Sequence, residues 1–222
     1  MPMLKKLLSY FIPVIIHQKK SGISKNLEVT WNNGQLVLDS KNTNYSYGSL
    51  QRILRKGLNY IGYDRIRKFN SILVLGVAGG SVIKTLADEI KYNGKITGVE
   101  IDPDAIDIAN KYFGLDKMAN VEIIIDDAFE FVLKTREKYD LIIIDIFQDT
   151  NMPNFLFEDF FINRVNFLLK VNGFILFNTM TLTNQDKERN LLYRAHFNND
   201  YSVRMYPKVE DHNELFTIKK LR

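Results

Sequence analysis

The sequence predicts an α/β protein in which one doubly wound sheet of seven strands carries a small N-terminal β-hairpin module. Two patterns establish the sheet and a third the module. Four short apolar runs, Ile72–Leu75, Ile96–Val99, Ile123–Ile125 and Leu141–Ile144, are separated by helix-like segments, and such β-branched and leucine runs mark buried parallel strands. Each run ends on a glycine or an acid, namely Gly76, Glu100, Asp126 with Asp127, and Asp145. Near the start, Leu27–Trp31 and Gln35–Asp39 alternate around Asn32-Asn33-Gly34, a hairpin signal.

Taken in order, Leu4, Leu7, Leu8, Phe11, Ile12 and Ile15 recur at helical spacing, which predicts a helix packed on the body or on a second subunit. The hairpin follows. Tyr45–Tyr60 reads as a turn into a helix with Leu50, Ile53, Leu54 and Leu58 on one face. From Ser71 strands and helices alternate. Ser81–Tyr92 buries Ile83, Leu86, Ala87 and Ile90. Asp102-Pro103 sets an N-cap before a proline at the first helical position. Asp127 with Glu130 resembles a capping box. Phe174–Phe177 is a fifth strand after the Asn172-Gly173 turn, a helix follows near Thr183–Asn198, and Tyr201–Tyr206 and Leu215–Lys219 form an antiparallel pair. The division expected is residues 1–50 for the helix and hairpin module and residues 51–222 for the α/β domain.

The chain of 222 residues has no cysteine. Disulfides, thiol catalysis and cysteine-ligated zinc are excluded, and a reducing cytoplasm is the expected compartment. His17, His196 and His212 are scattered, without metal-ligand spacing. The net charge of +4 comes from dispersed lysines, and a nucleic-acid surface needs a clustered basic face, so nucleic acid is not an expected partner. The N-terminal apolar stretch is too short to span a bilayer, is broken by Pro13 and lacks a small-residue cleavage site. Neither membrane insertion nor a leader is expected.

In open α/β sheets the ligand lies at the carboxyl ends of the strands. One spacing rule therefore gathers the Gly76-Val77-Ala78-Gly79-Gly80 loop and the strand-end acids around one crevice. Glycine lets a ligand approach the main chain closely. Glu100, about twenty residues past the loop, suits a ribose diol. Asp127 serves as an N-cap, as an acceptor for an adenine amino group, or as both. Asp145 follows a buried run and needs a partner or solvent. Each acid alone also fits a cap or surface position; four strand ends together fit a nucleotide-type site. The loop is neither G-x-G-x-x-G nor a P-loop.

Ile72–Ser81, Val99-Glu100-Ile101-Asp102, Asp126–Phe131 and Tyr139–Asp145 together resemble the spermidine synthase branch of the class I S-adenosylmethionine-dependent methyltransferases. Phe155–Phe161 resembles that family's "LF-x-x-x-FY" helix, and Asn33-Gly34 and Tyr45-Ser46-Tyr47 its N-terminal module. The resemblance runs from about residue 25 to 180 and implies a Rossmann-like, seven-stranded methyltransferase sheet. It implies that Glu100 holds the ribose with Ile101 beside it. Asp127 takes the adenine amino group and Ala128 the ring, and Gly76, Val77, Ala78, Gly79 and Gly80 line the methionine part. Asp145 matches the base that deprotonates an attacking amine, and Tyr47 a tyrosine that orients it. Phe147, Gln148 and Asp149 fall in the acceptor loop.

The chain departs from the pattern at three places. Gly79 stands where the family has an acid, Gln148 at the second acid of D-S-x-D-P with Asp149 at its proline, and Gly48 where a glutamine follows the tyrosine. Cationic amines need charged or hydrogen-bonding replacements for lost water. These departures favour intact S-adenosyl-L-methionine and a methyltransferase acting on a small-molecule acceptor. The alternatives are a polyamine aminopropyltransferase using decarboxylated S-adenosylmethionine, and a non-catalytic nucleoside-binding protein. No metal is expected. The hairpin's edges and the Leu4–Ile15 stripe predict a homodimer built on residues 1–50, as the resemblance also implies.

Overall fold

The structure, a computed structural model, describes residues 2–40, 44–147, 151–210 and 212–222. Helix α1 (Pro2–Leu8) leads into four antiparallel strands, β1 (Val14–Ser21), β2 (Lys25–Asn32), β3 (Gln35–Ser40) and β4 (Asn44–Ser46), in that spatial order. The hairpin is β2–β3. Asn33 and Gly34 turn it at φ 48° and 75°, the two left-handed residues that a twist-matched two-residue turn requires. Gly34 donates its N–H to Ser9 Oγ at 3.0 Å, which ties the turn to the end of α1.

The helical stripe expected over Leu4–Ile15 is corrected. The helix stops at Leu8, Pro13 blocks its continuation, and the β-branched Val14, Ile15 and Ile16 enter β1 instead. Within the chain these apolar side chains do not pack on the body: Leu4, Leu7, Leu8, Ile12 and Ile15 are exposed, and Phe11 is 86% exposed.

Helix α2 (Gly48–Ile61) and the short α3 (Tyr63–Ile66) lead to β5 (Ser71–Leu75). Then come α4 (Ser81–Lys84), continued by a π turn over Thr85–Glu89, β6 (Lys95–Glu100), and α5 (Pro103–Ile108), continued by a π turn over Ala109–Phe113. They are followed by β7 (Val121–Ile125), α6 (Ala128–Lys134), β8 (Tyr139–Ile144), α7 (Asp159–Leu168), β9 (Leu169–Met180), α8 (Asn184–Ala195), β10 (Tyr201–Tyr206) and β11 (Asn213–Lys220). The sheet order is β10-β11-β9-β8-β5-β6-β7. Pairings β5–β6, β5–β8, β6–β7 and β8–β9 are parallel, and β11 runs antiparallel to both β9 and β10.

The strand period of two divides the core between the faces. Ile72, Val74, Leu141, Ile143 and Leu176 pack with Ile53, Leu54 and Leu58 of α2 and with Ile83 of α4. Leu73, Leu75, Ile142, Ile144 and Phe177 pack with Val132 of α6, Phe161 and Val165 of α7 and Tyr193 of α8. Burying each such side chain contributes roughly 1.5–3 kcal/mol. That explains why the runs of β5, β6 and β8 read as continuous rather than alternating: both of their faces are covered. It also fixes the carboxyl ends of β5, β6 and β8 side by side.

Candidate functional site

Those strand ends border a cavity of about 450 Å³. Its floor is the turn after β5. Gly76 adopts φ 87°, and a Cβ there would lie 2.2 Å from the carbonyl oxygen of Asp145. Only glycine lets the two chains pass, because the Asp145 N–H binds the Leu75 carbonyl at 2.9 Å and the Gly76 N–H binds the Val99 carbonyl at 3.0 Å. Asp145 is thereby held against the Gly76 turn by backbone.

Glu100 is buried at the end of β6. Its Oε2 accepts the N–H groups of Val77 and Ala78 at 3.0 and 2.8 Å, and its Oε1 accepts that of Asp102 at 3.0 Å. Burial pushes its carboxyl above the ordinary carboxylate range against the pull of these donors. A carboxylate has about four acceptor positions. Three are committed to main chain, so one remains open.

Asp127 caps α6, its Oδ1 accepting the Phe129 N–H at 2.7 Å. The capping box expected with Glu130 is corrected: Glu130 lies 3.3 Å from Lys134 on the helix surface. Asp127 also lines the cavity, with Ala128, Ile101 and Ala78. Asp145 lines it from the end of β8, its Oδ1 accepting from Asn178 Nδ2 at 2.9 Å. Burial first, and the nearby Glu100 charge, push its carboxyl up to about 7, against the opposing Asn178 hydrogen bond.

The N-terminal sheet roofs the cavity. Ser21 donates Oγ–H to Asp102 Oδ2 at 2.6 Å, and Lys19 meets Asp104 at 2.7 Å. The β1–β2 turn is thus docked on the start of α5, and Ile23, Ser24 and Lys25 enter the lining.

Other expected site residues lie elsewhere. Val77 is buried in the core and contributes its N–H to Glu100. Gly80 caps α4 in the left-handed region. At Gly79 a Cβ would meet Ser46 Cβ at 2.8 Å and Leu38 at 3.3 Å, so this position faces the N-terminal sheet. Tyr47 is not brought to the cavity. It stacks on Phe113 at 4.3 Å within an apolar cluster that includes Leu27, Val29 and Leu38, and burial raises its phenol. Phe147 lines the cavity, while Gln148 and Asp149 lie outside the described residues. Among the described residues no cluster of three or more metal-type ligands occurs.

Sequence reasoning missed Asn178, Asn213 and the start of α2, where Ser49, Leu50 and Ile53 face the cavity. Asn178 had a signal: it follows Phe174–Phe177 as Asp145 follows Leu141–Ile144. Asn213 reaches the site only because β11 pairs back onto β9.

Residues 54–210 match the family described as the spermine/spermidine synthase domain. A polyamine aminopropyltransferase of Vibrio vulnificus (strain CMCP6) is 29% identical over 137 residues, covering 60% of this chain and 46% of that protein. The chain spans about half the length of the curated relatives it matches. Among solved structures, spermidine synthase from Thermotoga maritima superposes with TM-score 0.67 at 20% identity, over 93% of this chain and 72% of that one. Human methyltransferase-like protein 13, in complex with SAH, gives 0.61 at 21% identity over 78% and 81%. At these identities the likenesses show the fold.

The matches overturn the methyltransferase expectation, since the matched domain is the spermine/spermidine synthase domain and the relatives of Vibrio vulnificus, Buchnera aphidicola and Thermoplasma volcanium are named polyamine aminopropyltransferases. That expectation leaned on Gly79, Gln148 and Gly48 as lost polar groups, whereas at Gly79 the close packing of Ser46, 2.8 Å from where a Cβ would lie, accounts for a glycine. With the domain match covering most of its length, this chain belongs to the spermine/spermidine synthase domain family.

Proposed function

We propose that this protein transfers an aminopropyl group from decarboxylated S-adenosylmethionine to a small amine. The observation that carries the reading is Asp145, a carboxylate recessed at the end of β8, aimed into the cavity and pushed up to about 7. A base poised near neutral pH is suited to take a proton from an attacking amine. The cavity supports it: Glu100, Asp127 and Asp145 line it together with Lys25, a net acidic lining that suits a cationic donor and a cationic amine.

The residues present fit such a donor. Glu100 would hold a ribose hydroxyl through its remaining acceptor position. Asp127 and Ala128 would take the adenine, with Ile101 beside them. The open turn at Gly76 would leave room along the main chain. When bound, the donor supplies a carbon activated by a positive sulfur, which leaves as a neutral thioether. Asp145 receives the proton that the amine nitrogen loses as its lone pair forms the new C–N bond. Leu50, Ile53, Phe147 and Phe155 give the lining its apolar part, and a low-dielectric wall strengthens the electrostatics beside it.

The test is to incubate the purified protein with decarboxylated S-adenosylmethionine and a series of primary amines beginning with putrescine. Methylthioadenosine and an amine enlarged by one aminopropyl group are expected. Asp145→Asn should keep donor binding and lose roughly 10²–10⁴ in turnover. Production of S-adenosylhomocysteine from the intact donor, with no methylthioadenosine from the decarboxylated one, would refute the proposal.

A further inference from the structure

Asp145 does not stand alone. Its Oδ1 accepts from Asn178 Nδ2 at 2.9 Å, and Asn178 Oδ1 in turn accepts from Asn213 Nδ2 at 3.0 Å. Asn178 is fully buried on β9, and Asn213 begins β11 beside it. All three residues line the cavity. The backbone of Asn213 is pinned on both sides: its N–H binds the Glu210 carbonyl and its carbonyl accepts the Val209 N–H, each at 2.9 Å. Glu210 is gripped by Arg52 of α2 through two bonds of 3.1 and 3.0 Å. A chain of contacts therefore runs from α2, whose start borders the cavity, through β11 and β9 to the carboxylate of β8.

The amide of Asn178 has one orientation that satisfies both neighbours. An ionised carboxylate only accepts, and the Asn213 amide group facing Asn178 only donates. Turned over, Asn178 would set its oxygen against Asp145 and its NH₂ against the NH₂ of Asn213. The order donor–acceptor–donor thus fixes the direction of the row. It ties Oδ1 of Asp145 to the protein wall and leaves Oδ2 to meet the amine.

We propose that Asn213 and Asn178 form a positioning relay, in which Asn213 orients the Asn178 amide and Asn178 sets which oxygen of Asp145 is presented to the substrate. The role of Asp145 as proton acceptor rests on the function proposed above, but the relay itself is testable without turnover.

The experiment is a pH titration of the Asp145 carboxyl carbon by NMR in the ligand-free protein, with the signal assigned by its loss in Asp145→Asn. Glu100, Asp127 and Lys25 face the same cavity. They are unchanged in the variants, so differences between variants isolate the two amides. A hydrogen bond to a charged group contributes about 1.5–3 kcal/mol, or about one to two pH units. Asn178→Leu is expected to raise the Asp145 midpoint by about that much. Asn213→Leu should raise it by less, and the double variant should match Asn178→Leu alone, because the relay has one path.

Should Asn178→Leu not fold, the half-buried Asn213 carries the test. Asn213→Gln keeps an amide donor and should titrate nearer the wild type than Asn213→Leu. An unchanged midpoint in Asn213→Leu overturns the relay, as do single shifts that simply add in the double variant. If the midpoints move as expected but no amine yields an aminopropyl product, the relay stands and the catalytic reading falls. If transfer occurs with unmoved midpoints, the reverse holds.

Discussion

Asp145→Asn should make the protein more stable above neutral pH. Burial lifts the Asp145 carboxyl from an ordinary 3.8 to about 7, so the folded state binds this proton more tightly than the unfolded chain does. Its contribution to stability is present below about pH 4, is lost as pH rises, and is gone by about pH 7. At roughly 1.4 kcal/mol per pH unit the full displacement is worth at most about 4 kcal/mol. Asp145 borders the cavity and is not wholly enclosed by the core, so the figure is discounted to about 2 kcal/mol. An amide at this position never ionises and can still accept from Asn178. Urea unfolding at intervals from pH 4 to 8 measures the effect. The two proteins should agree near pH 4, and the variant should lead by about 2 kcal/mol at pH 8. Parallel pH profiles, or a variant less stable at pH 8, would show that Asp145 is solvated or paired and not held at a cost. A gain in stability joined to a loss of turnover is what a residue kept for chemistry should show.

Three further outcomes follow from the geometry. Gly76→Ala places a methyl 2.2 Å from the Asp145 carbonyl at φ 87° and should lower stability by more than about 2 kcal/mol, read by thermal melting. Glu100→Ala strips the acceptor from three backbone N–H groups and should cost about 2–4 kcal/mol in urea unfolding. It should also abolish donor binding by calorimetry; retained affinity would remove Glu100 from the site. We further propose that residues 1–50 form a homodimer, since Leu4, Leu7, Phe11 and Ile12 are exposed and β1 is a sheet edge. Light scattering at micromolar concentration should give twice the chain mass, and a monomer mass would exclude it.

The centre of the seven-stranded sheet was legible because β5, β6 and β8 are buried on both faces, so sequence apolarity and strand position coincide there. The strand-end rule then placed Gly76, Glu100, Asp127 and Asp145 around one cavity without any tertiary information. The rule fails where a side chain's neighbour is far away in sequence. Asn213 meets Asn178 only through β11–β9 pairing across 35 residues, and Ser24 and Lys25 reach the cavity only because Ser21 docks on Asp102. The N-terminal stripe misled for a related reason. Residues 4 to 15 satisfy a helical period, but period says nothing about where a proline hands the chain over to a strand. Tyr47 was assigned by likeness of motif, whereas its ring is committed to Phe113.

The departures that argued against aminopropyl transfer have separate physical origins. Gly79 is dictated by Ser46 of β4, so restoring an acid there with Gly79→Asp would drive its Cβ to 2.8 Å from Ser46 Cβ. Such overpacking costs about 1–3 kcal/mol. Gly48 opens α2 at φ 56° directly after Tyr47 at φ 69°, and glycine is the residue that takes a second left-handed position without strain. Both glycines are thus accounted for by how the N-terminal sheet joins the α/β domain, so neither is by itself an argument against aminopropyl transfer. Of the acids that line the cavity, Glu100 and Asp127 are assigned above to the ribose and the adenine, which leaves Asp145 and the turn at Gly76 beside the end where the two donors differ. Gly79→Asp is therefore expected to lower the melting temperature without tightening the binding of decarboxylated S-adenosylmethionine. A variant that melted like the wild type and bound that donor tenfold more tightly, about 1.4 kcal/mol, would show that the glycine was a lost ligand after all.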